Sequence, residues 1–313
     1  MKKIAITMGD PNGISPEITI KALNFLDLPK EKVVILTNKH ILNYYKEKHN
    51  LELEKDYEIV EIPYRLEDIK LGIETEEAGE FAFRAIVQAC NMAVNNEIEA
   101  IVTAPVSKNA MKMAGHNYSG QTEIIEQYIA QNHQKAEMLF VCDTYSIMLI
   151  TRHIALKDVP SQITKDNIKT KIENLDTSLK IQLGISNPKI AICGLNPHCG
   201  ENGMFGDEEQ NAIIPAVKEL RAEGINIEGP FAADSLFTKC ELDESNYNCY
   251  VAMYHDQGLI PVKIMQRDNC VNTTIGLDIL RTSPAHGTAF DIAGQNIANA
   301  DSMINAIKLA AEY

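Results

Sequence analysis

Short runs rich in Val and Ile alternate along this chain with amphipathic stretches of helical spacing, and this alternation limits the fold more than any other feature. The runs predict β-strands because they are short, β-branched and often end at Gly, Pro, Asp or Asn. They are Lys3–Thr7, Val33–Thr37, Ala100–Ala104, Met138–Val141, Ser146–Thr151, Lys189–Cys193, Cys249–Tyr254 and Val271–Ile275. Strands separated by helices are typical of an α/β protein with a mostly parallel sheet.

Helical periodicity is clearest in three stretches of the chain. Apolar side chains recur at helical spacing over Phe81–Val94, after Ser119, and over residues 303–309. One pair of strands has no helix between its members. Within residues 138–151 the two strands meet at Asp143-Thr144-Tyr145, which predicts an antiparallel hairpin.

Composition excludes some classes of protein. The chain carries 43 acidic and 29 basic residues, a formal net charge of −14, which argues against nucleic-acid binding because phosphate contacts need clustered Lys and Arg. No apolar stretch reaches the roughly 18 residues of a membrane span, and the opening run Ile4–Met8 is too short for a secretory signal peptide. The seven cysteines include no C-x-x-C pair and predict mostly buried free thiols in a reducing compartment. We therefore expect a cytoplasmic protein that binds neither nucleic acid nor membranes.

Three histidines follow or end predicted strands. His153 follows the strand ending at residue 151, His198 follows the 189–193 strand, and His255 ends the 249–254 strand. Ligands bind at the carboxyl ends of strands in open α/β sheets, so three imidazoles there could converge on a divalent cation. Their separations of 45 and 57 residues form no local metal motif. Ordinary loop histidines are therefore the alternative.

Two further segments could bind an anion. Lys263, Asn272 and Arg281 combine two cations with a neutral donor, a set that suits a phosphate or a carboxylate. The helix start at Ser119-Gly120-Gln121-Thr122-Glu123 would offer free backbone N–H groups and the Thr122 hydroxyl. Solvated single charges and simple helix capping by Ser119 are the alternatives.

The last candidate is a glycine-containing loop near the C-terminus, His286-Gly287-Thr288-Ala289-Phe290-Asp291-Ile292-Ala293-Gly294, which continues to Asn299. Gly287 and Gly294 would let it approach a ligand closely, and Asp291 could accept a hydrogen bond. A turn-rich loop that binds nothing is the alternative. No Gly-x-Gly-x-x-Gly sequence follows a strand, so a Rossmann dinucleotide site is unsupported.

Several of these segments together resemble one family. The run HGTAFDIAGQNIAN looks like the adenosine-binding loop of the isocitrate and isopropylmalate dehydrogenase superfamily, and MGDPNGISPEI resembles that superfamily's opening motif. The finer resemblance is to the 4-hydroxythreonine-4-phosphate dehydrogenase family of pyridoxal phosphate synthesis. Its motifs stand in family order from residue 4 to beyond residue 294, among them TAPVSK, SGQTE, TRHIALKDVP, NPHCGENGMFGDEE, GPFAADSLF and AMYHDQG.

The resemblance implies an α/β fold of two α/β/α subdomains with a cleft between them, isocitrate/isopropylmalate dehydrogenase-like. Residues 1–125 together with 268–313 would form the cofactor-side subdomain, and residues 126–267 the metal, substrate and dimerisation subdomain. It also implies a homodimer with its active site at the subunit interface.

Site residues follow from the same resemblance. The metal ligands, shared across the dimer interface, would be His153, His198 and His255, holding Zn, Mg, Co, Mn or Ni as the divalent ion. The substrate-binding residues would be Gln121, Thr122, Lys263, Asn272 and Arg281. NAD or NADP would lie along His286, Gly287, Thr288, Ala289, Asp291, Gly294 and Asn299. Our candidates for the general base are Asp256 and Lys108, although Asp256 could instead orient its neighbour His255.

The implied activity is the NAD(P)- and metal-dependent oxidation of 4-phosphohydroxy-L-threonine to the 3-oxo acid, which decarboxylates to 3-amino-2-oxopropyl phosphate. Gln121 departs from the family pattern, because the family normally has a histidine there and glutamine does not titrate near neutrality. The alternative is therefore the same chemistry on 4-phospho-D-threonate, 4-phosphoerythronate or a cis-dihydrodiol carboxylate. A metal-dependent lyase or hydrolase using the same histidines is the second hypothesis. The third is a non-catalytic binding protein or an acyl-phosphate-handling relative of the same broad fold.

Overall fold

The computed structural model describes residues 3–131, 134–143, 145–241, 246–265 and 269–313. Its strands are β1 (Lys3–Thr7), β2 (Val33–Thr37), β3 (Glu58–Glu61), β4 (Ile98–Thr103), β5 (Glu137–Val141), β6 (Ser146–Leu149), β7 (Ile190–Cys193), β8 (Ile227–Phe231), β9 (Cys249–Ala252), β10 (Val271–Ile275) and β11 (Leu280–Ser283). Its α-helices are α1 (Ser15–Leu26), α2 (Lys39–His49), α3 (Glu76–Val94), α4 (Lys108–Met113), α5 (Gln121–Ile129), α6 (Val159–Gln162), α7 (Lys165–Ile181), α8 (Ile214–Ala222), α9 (Ala233–Glu241), α10 (His255–Met265) and α11 (Asp301–Glu312). Every strand and helix predicted from the sequence is present, so the α/β class is confirmed.

The chain forms two compact units, Met1–Ala136 with Val271–Tyr313, and Glu137–Cys270. Our predicted boundaries stood at 125/126 and 267/268. A boundary at 125 would divide α5, whereas the whole helix belongs to the first unit because its buried face, including Ile124 and Ile129, packs into that unit's core.

In the first unit the strands lie in the order β3-β2-β1-β4-β11-β10. All neighbours pair in parallel except β10 and β11, which are antiparallel. β2 is buried at every position and β1 at every position after Lys3, the pattern of parallel strands covered on both faces. The carboxyl ends of β1, β4 and β11 therefore share one edge of the sheet.

In the second unit the order is β5-β6-β9-β7-β8. β6, β9, β7 and β8 pair in parallel, so their carboxyl ends also share one edge. β5 and β6 pair antiparallel, as the predicted hairpin requires. Thr144 of its predicted turn lies outside the described residues.

Three strands escaped sequence analysis because each lacks a plain apolar run. β3 begins and ends at Glu, β8 contains Gly229 and Pro230, and β11 is Leu-Arg-Thr-Ser. The burial of β11, including Arg281, is decided by its neighbours β4 and β10 rather than by its own composition.

The prediction of free thiols is wrong for one pair of cysteines. Cys142 and Cys270 form a disulfide across 128 residues of sequence, with their Cα atoms 4.2 Å apart. Only the folded chain brings these residues together, so their spacing gives no sign of the bond. Cys90, Cys193 and Cys249 are buried free thiols, as predicted.

Among the described residues, no helix is both long enough and apolar enough to cross a membrane.

Candidate active site

The three predicted metal histidines all lie in the second unit, just beyond strands that neighbour one another. β6 precedes His153, β7 precedes His198 and β9 precedes His255. Because β9 pairs in parallel with both β6 and β7, the three chain segments leave the sheet at the same edge. The sequence could indicate each strand but not this adjacency.

His153 and His255 are brought together. Their ring centroids are 5.4 Å apart, and the ring planes are inclined by 44°. His255 opens helix α10, and its Nδ1 lies 2.7 Å from Oδ1 of Asp256. This contact leaves Nε2 of His255 available to a ligand, and a carboxylate behind a histidine fixes its tautomer and orientation. The pair therefore suits a divalent metal.

The contacts of His198 are with residues of its own loop. Its ring is largely exposed, its Nδ1 lies 3.1 Å from Oε2 of Glu201, and its centroid is 6.4 Å from that of Phe205. In the described part of a single chain, no three His, Cys, Asp or Glu side chains are arranged to hold a metal ion. The structure thus brings together two of the three predicted ligands.

Arg281 is a buried cation of the first unit. Its side chain is only 2% exposed, and its Nε and Nη2 donate to Oγ1 of Thr103 at 2.9 and 2.6 Å, while Nη1 donates to Oγ1 of Thr274 at 3.3 Å. No carboxylate of the described residues lies within ion-pair distance of it, and burial lowers its pKa to about 10, against the attraction of Glu123. A buried cation that contacts only neutral hydroxyls is well suited to an anionic ligand.

Thr122 and Gln121 begin helix α5 beside this cation. Oγ1 of Thr122 lies 3.5 Å from Oγ1 of Thr274, and the Nε2 of Gln121 donates to the carbonyl oxygen of Ala104 at 3.3 Å. Oε1 of Gln121 and Oδ1 of Asn272 are buried without a hydrogen-bond partner among the described residues. Unpaired buried acceptors in a native protein call for a ligand or a water.

The two predicted lysines are solvent-exposed. Lys108 is the first residue of α4, and its Cε lies 3.9 Å from the Cβ position of Gly120, which precedes α5. Lys263 lies in the last turn of α10 in the second unit.

The loop from His286 to Asn299 is held against the start of the chain. The backbone N–H of Ile14 donates to the carbonyl oxygen of Thr288 at 2.9 Å, and a Cβ on Gly13 would lie 2.7 Å from that oxygen. A Cβ on Gly294, whose φ is +78°, would lie 2.4 Å from Cδ1 of Leu71. Close packing therefore favours glycine at both positions.

Other predicted residues of this loop are available to a ligand to different degrees. Nε2 of His286 is buried without a partner among the described residues, whereas the space around Gly287 is open. Ala289 has a left-handed backbone with φ 40°, and Asp291 is exposed. Oδ1 of Asn299 accepts a hydrogen bond at 2.7 Å from the backbone N–H of Asp301, the first residue of helix α11.

Sequence analysis missed Asp10 and Arg152. Asp10 is fully buried after β1, its Oδ1 accepts the N–H of Asn12 at 2.9 Å, and its Oδ2 has no partner among the described residues. Burial raises its pKa from 3.8 to about 6. Nη1 of Arg152, beside His153, is likewise buried and unpaired there. Both residues stand just beyond a strand, the signal that could have found them.

Comparison with known proteins supports the resemblance found in the sequence. Residues 4–310 match the family model described as pyridoxal phosphate biosynthetic protein PdxA. The chain is 41% identical over 322 residues to a 4-hydroxythreonine-4-phosphate dehydrogenase of a Sulfurihydrogenibium species, covering 99% of this chain and 98% of that protein. It is 38% identical over 325 residues to a D-threonate 4-phosphate dehydrogenase of Salmonella typhimurium, covering 99% and 98%.

A solved structure agrees with these relatives. The crystal structure of a 4-hydroxythreonine-4-phosphate dehydrogenase from Klebsiella pneumoniae matches with a TM-score of 0.88 at 36% identity, covering 99% of this chain and 97% of that one. Each of these proteins is a dehydrogenase, and the match of sequence and fold extends over almost the whole chain. The expected oxidoreductase class is therefore confirmed. This chain belongs to the PdxA family of pyridoxal phosphate biosynthetic proteins.

Proposed function

We propose that this protein oxidises the secondary hydroxyl of 4-phosphohydroxy-L-threonine with NAD or NADP. The resulting 3-oxo acid loses CO₂ to give 3-amino-2-oxopropyl phosphate, a step of pyridoxal phosphate (vitamin B6) biosynthesis. The family description and the names of its relatives support this substrate. D-threonate 4-phosphate is the second candidate, because a relative of comparable identity carries that name and because Gln121 replaces the family's usual histidine.

The buried Arg281 is the observation that carries the proposal. A guanidinium 2% exposed and bound only to threonine hydroxyls gains most from a bidentate anionic partner. We assign it to an anionic group of the substrate, with the N-terminus of α5 and the hydroxyl of Thr122 beside it. Asn272 and Lys263 are assigned to the remaining polar groups of the same molecule.

The histidines of the second unit fit a divalent metal. Imidazole is a good ligand for Zn²⁺, Co²⁺, Ni²⁺ and Mn²⁺, and the paired rings of His153 and His255 offer two donors. We propose that His198 completes the set in a homodimer whose subunits share the ligands. When bound, the ion would act as a Lewis acid on the substrate hydroxyl and on the carbonyl formed from it.

Two residues are proposed for the transfer of the hydroxyl proton. Asp256 contacts Nδ1 of His255 at 2.7 Å, which favours an orienting role for it. Lys108 makes no such contact with a proposed metal ligand and lies near the start of α5, so we prefer it as the base.

The nicotinamide cofactor is assigned to the loop from His286 to Asn299. Its backbone is fixed by Ile14 and packed on Gly13, so it is a rigid surface for a ligand. Nε2 of His286 is a buried hydrogen-bonding atom that a bound dinucleotide could satisfy.

Exposed apolar side chains of the second unit support the homodimer. Ile154, Met204 and Ile264 are 43%, 73% and 73% exposed. Apolar groups exposed in one continuous patch are typical of surfaces that pack against another protein, and we propose that these side chains form such a patch. We also propose a cytoplasmic location, as expected for an enzyme of vitamin synthesis.

The test is a dehydrogenase assay on protein freed of metal and then reloaded. Reduction of NAD or NADP should require both a divalent ion and 4-phosphohydroxy-L-threonine, and His198→Ala should abolish it. Turnover of D-threonate 4-phosphate alone would establish the second candidate. Cleavage of the substrate without nicotinamide reduction would refute a dehydrogenase, and full turnover by His198→Ala would refute the metal assignment.

A further inference from the structure

The segment that carries His198 has an unusual backbone. From His198 to Asn202 every residue is left-handed, with φ between 43° and 74°, and Gly203 continues at φ 94°. Only glycine adopts this region readily, and other L-residues adopt it as single residues rather than in series. Such a turn persists only where surrounding contacts hold it.

A buried carboxylate, that of Glu209, lies against this turn and accepts hydrogen bonds from a residue just before it. Glu209 begins the π-helical turn Glu209–Ile213 and is only 1% exposed. Its Oε1 accepts the backbone N–H of Asn196 at 2.8 Å, and its Oε2 accepts Nδ2 of the same asparagine at 2.9 Å. Both carboxylate oxygens therefore accept hydrogen bonds from Asn196, which lies two positions before His198.

Two glycines pack closely against the same carboxylate. A Cβ on Gly194 would lie 3.0 Å from Oε1 of Glu209, and a Cβ on Gly200 would lie 2.7 Å from Oε2. Gly194 precedes the turn and Gly200 lies within it. The backbone thus folds around Glu209 from both sides of His198.

We propose that Glu209 is a positioning residue that holds the left-handed turn and so presents the imidazole of His198 to the metal. This inference rests on the proposed function, in which His198 is a metal ligand. A carboxylate suits the task because both of its oxygens accept hydrogen bonds. Glutamine has one acceptor oxygen, and its amide group would face an N–H donor of Asn196.

The main test compares Glu209→Gln with Asp207→Asn as the matched control. Asp207 is an exposed neighbour on the same segment, and its Oδ2 accepts Nδ2 of Asn211 at 2.7 Å. Hydrogen exchange of residues 195–206 is measured in the metal-free protein, and the affinity for Co²⁺ or Zn²⁺ is measured by calorimetric titration. For Glu209→Gln we expect at least tenfold faster exchange and at least tenfold weaker metal binding, with the control unchanged.

Either of two results would overturn the proposal. Unchanged exchange would show that Glu209 does not hold the turn, and faster exchange with unchanged affinity would show a purely structural role. If Glu209→Gln fails to fold, Asn196→Ala removes the Nδ2 group, which donates to Oε2 of Glu209 at 2.9 Å and to Oε2 of Glu208 at 2.6 Å, and keeps the backbone N–H that donates to Glu209. It should then shift exchange and metal affinity in the same direction by a smaller factor, and an unchanged value of either would also refute the proposal.

His198→Ala separates this proposal from the proposed function. It should weaken metal binding at least tenfold while leaving exchange in the rest of the turn as slow as in the parent protein. Metal affinity unchanged in His198→Ala would refute His198 as a ligand. The exchange result for Glu209→Gln would still decide whether Glu209 holds the turn.

Discussion

Oε1 of Glu17 accepts a hydrogen bond from the backbone N–H of Ala298 at 2.8 Å, although the two residues are 281 positions apart. The same oxygen accepts Nζ of Lys21 at 2.7 Å, and that ammonium also donates to the carbonyl oxygens of Asn296 and Ala298. Glu17 is 1% exposed. Helix α1 thereby fastens the end of the loop that we assign to the nicotinamide cofactor.

Glu17→Gln should weaken cofactor binding more than it affects turnover at saturation. A hydrogen bond to a buried charged group contributes about 1.5–3 kcal/mol, and the variant keeps the shape of the side chain but loses its charge. We expect a roughly tenfold higher Kd for NADH or NADPH in a fluorescence titration. Glu31→Gln, at an exposed position, is the control. An unchanged Kd in Glu17→Gln would show that the contact between Glu17 and Ala298 does not influence cofactor binding.

Arg281→Met should lose substrate affinity without losing stability. Replacing a buried charge with an apolar side chain is often neutral or stabilising, because the desolvation penalty disappears. We expect KM to rise at least a hundredfold while the thermal midpoint stays level or rises. Arg84→Met, which removes an exposed arginine paired with Glu80, serves as the control. A large fall of the midpoint in Arg281→Met would mean that the guanidinium is mainly structural.

Gln121→His tests the departure from the family pattern. If the usual histidine contact with an anionic substrate is missing here, restoring it should preserve or raise kcat/KM for 4-phosphohydroxy-L-threonine. The gain should be larger at pH 6 than at pH 8, because only the protonated imidazole adds charge. A sharp fall at both values of pH would show that this pocket is built around the amide of Gln121, which donates to Ala104.

Asp10 should make the protein less stable as pH rises from 4 to 6. Burial raises the pKa of this carboxyl in the folded state from 3.8 to about 6, so in that interval the folded chain binds more protons than the unfolded chain. The free energy of unfolding then falls with pH, by up to about 3 kcal/mol in total. Denaturant unfolding of the parent protein and Asp10→Asn should show this slope in the parent alone.

The free energy of unfolding of Asp10→Asn, relative to that of the parent protein, should therefore be higher at pH 7 than at pH 4. Asn keeps an acceptor for the N–H of Asn12, so the comparison isolates the charge. If the free energy of unfolding varied with pH in the same way in the two proteins, burial would not raise the pKa of Asp10 in the folded state.

The alternation of strands and helices, the hairpin of β5 and β6, and the family could all be predicted from the order of the amino acids, because each is recognised from short segments of neighbouring residues. The sequence could not reveal β8 or β11, whose polar or irregular residues become strands only through pairing with β7 and β4. It also gave no sign of the Cys142–Cys270 disulfide.

The surroundings of the predicted site residues depend on how distant segments of the chain pack together. Arg281 looks like an ordinary cation in the sequence, and only the sheet around it removes it from water and surrounds it with hydroxyls. His153 and His255 stand 102 positions apart and meet because β6 and β9 are parallel neighbours. Secondary-structure patterns depend on neighbouring residues in the sequence. Desolvation and long-range contacts arise only when distant segments pack together.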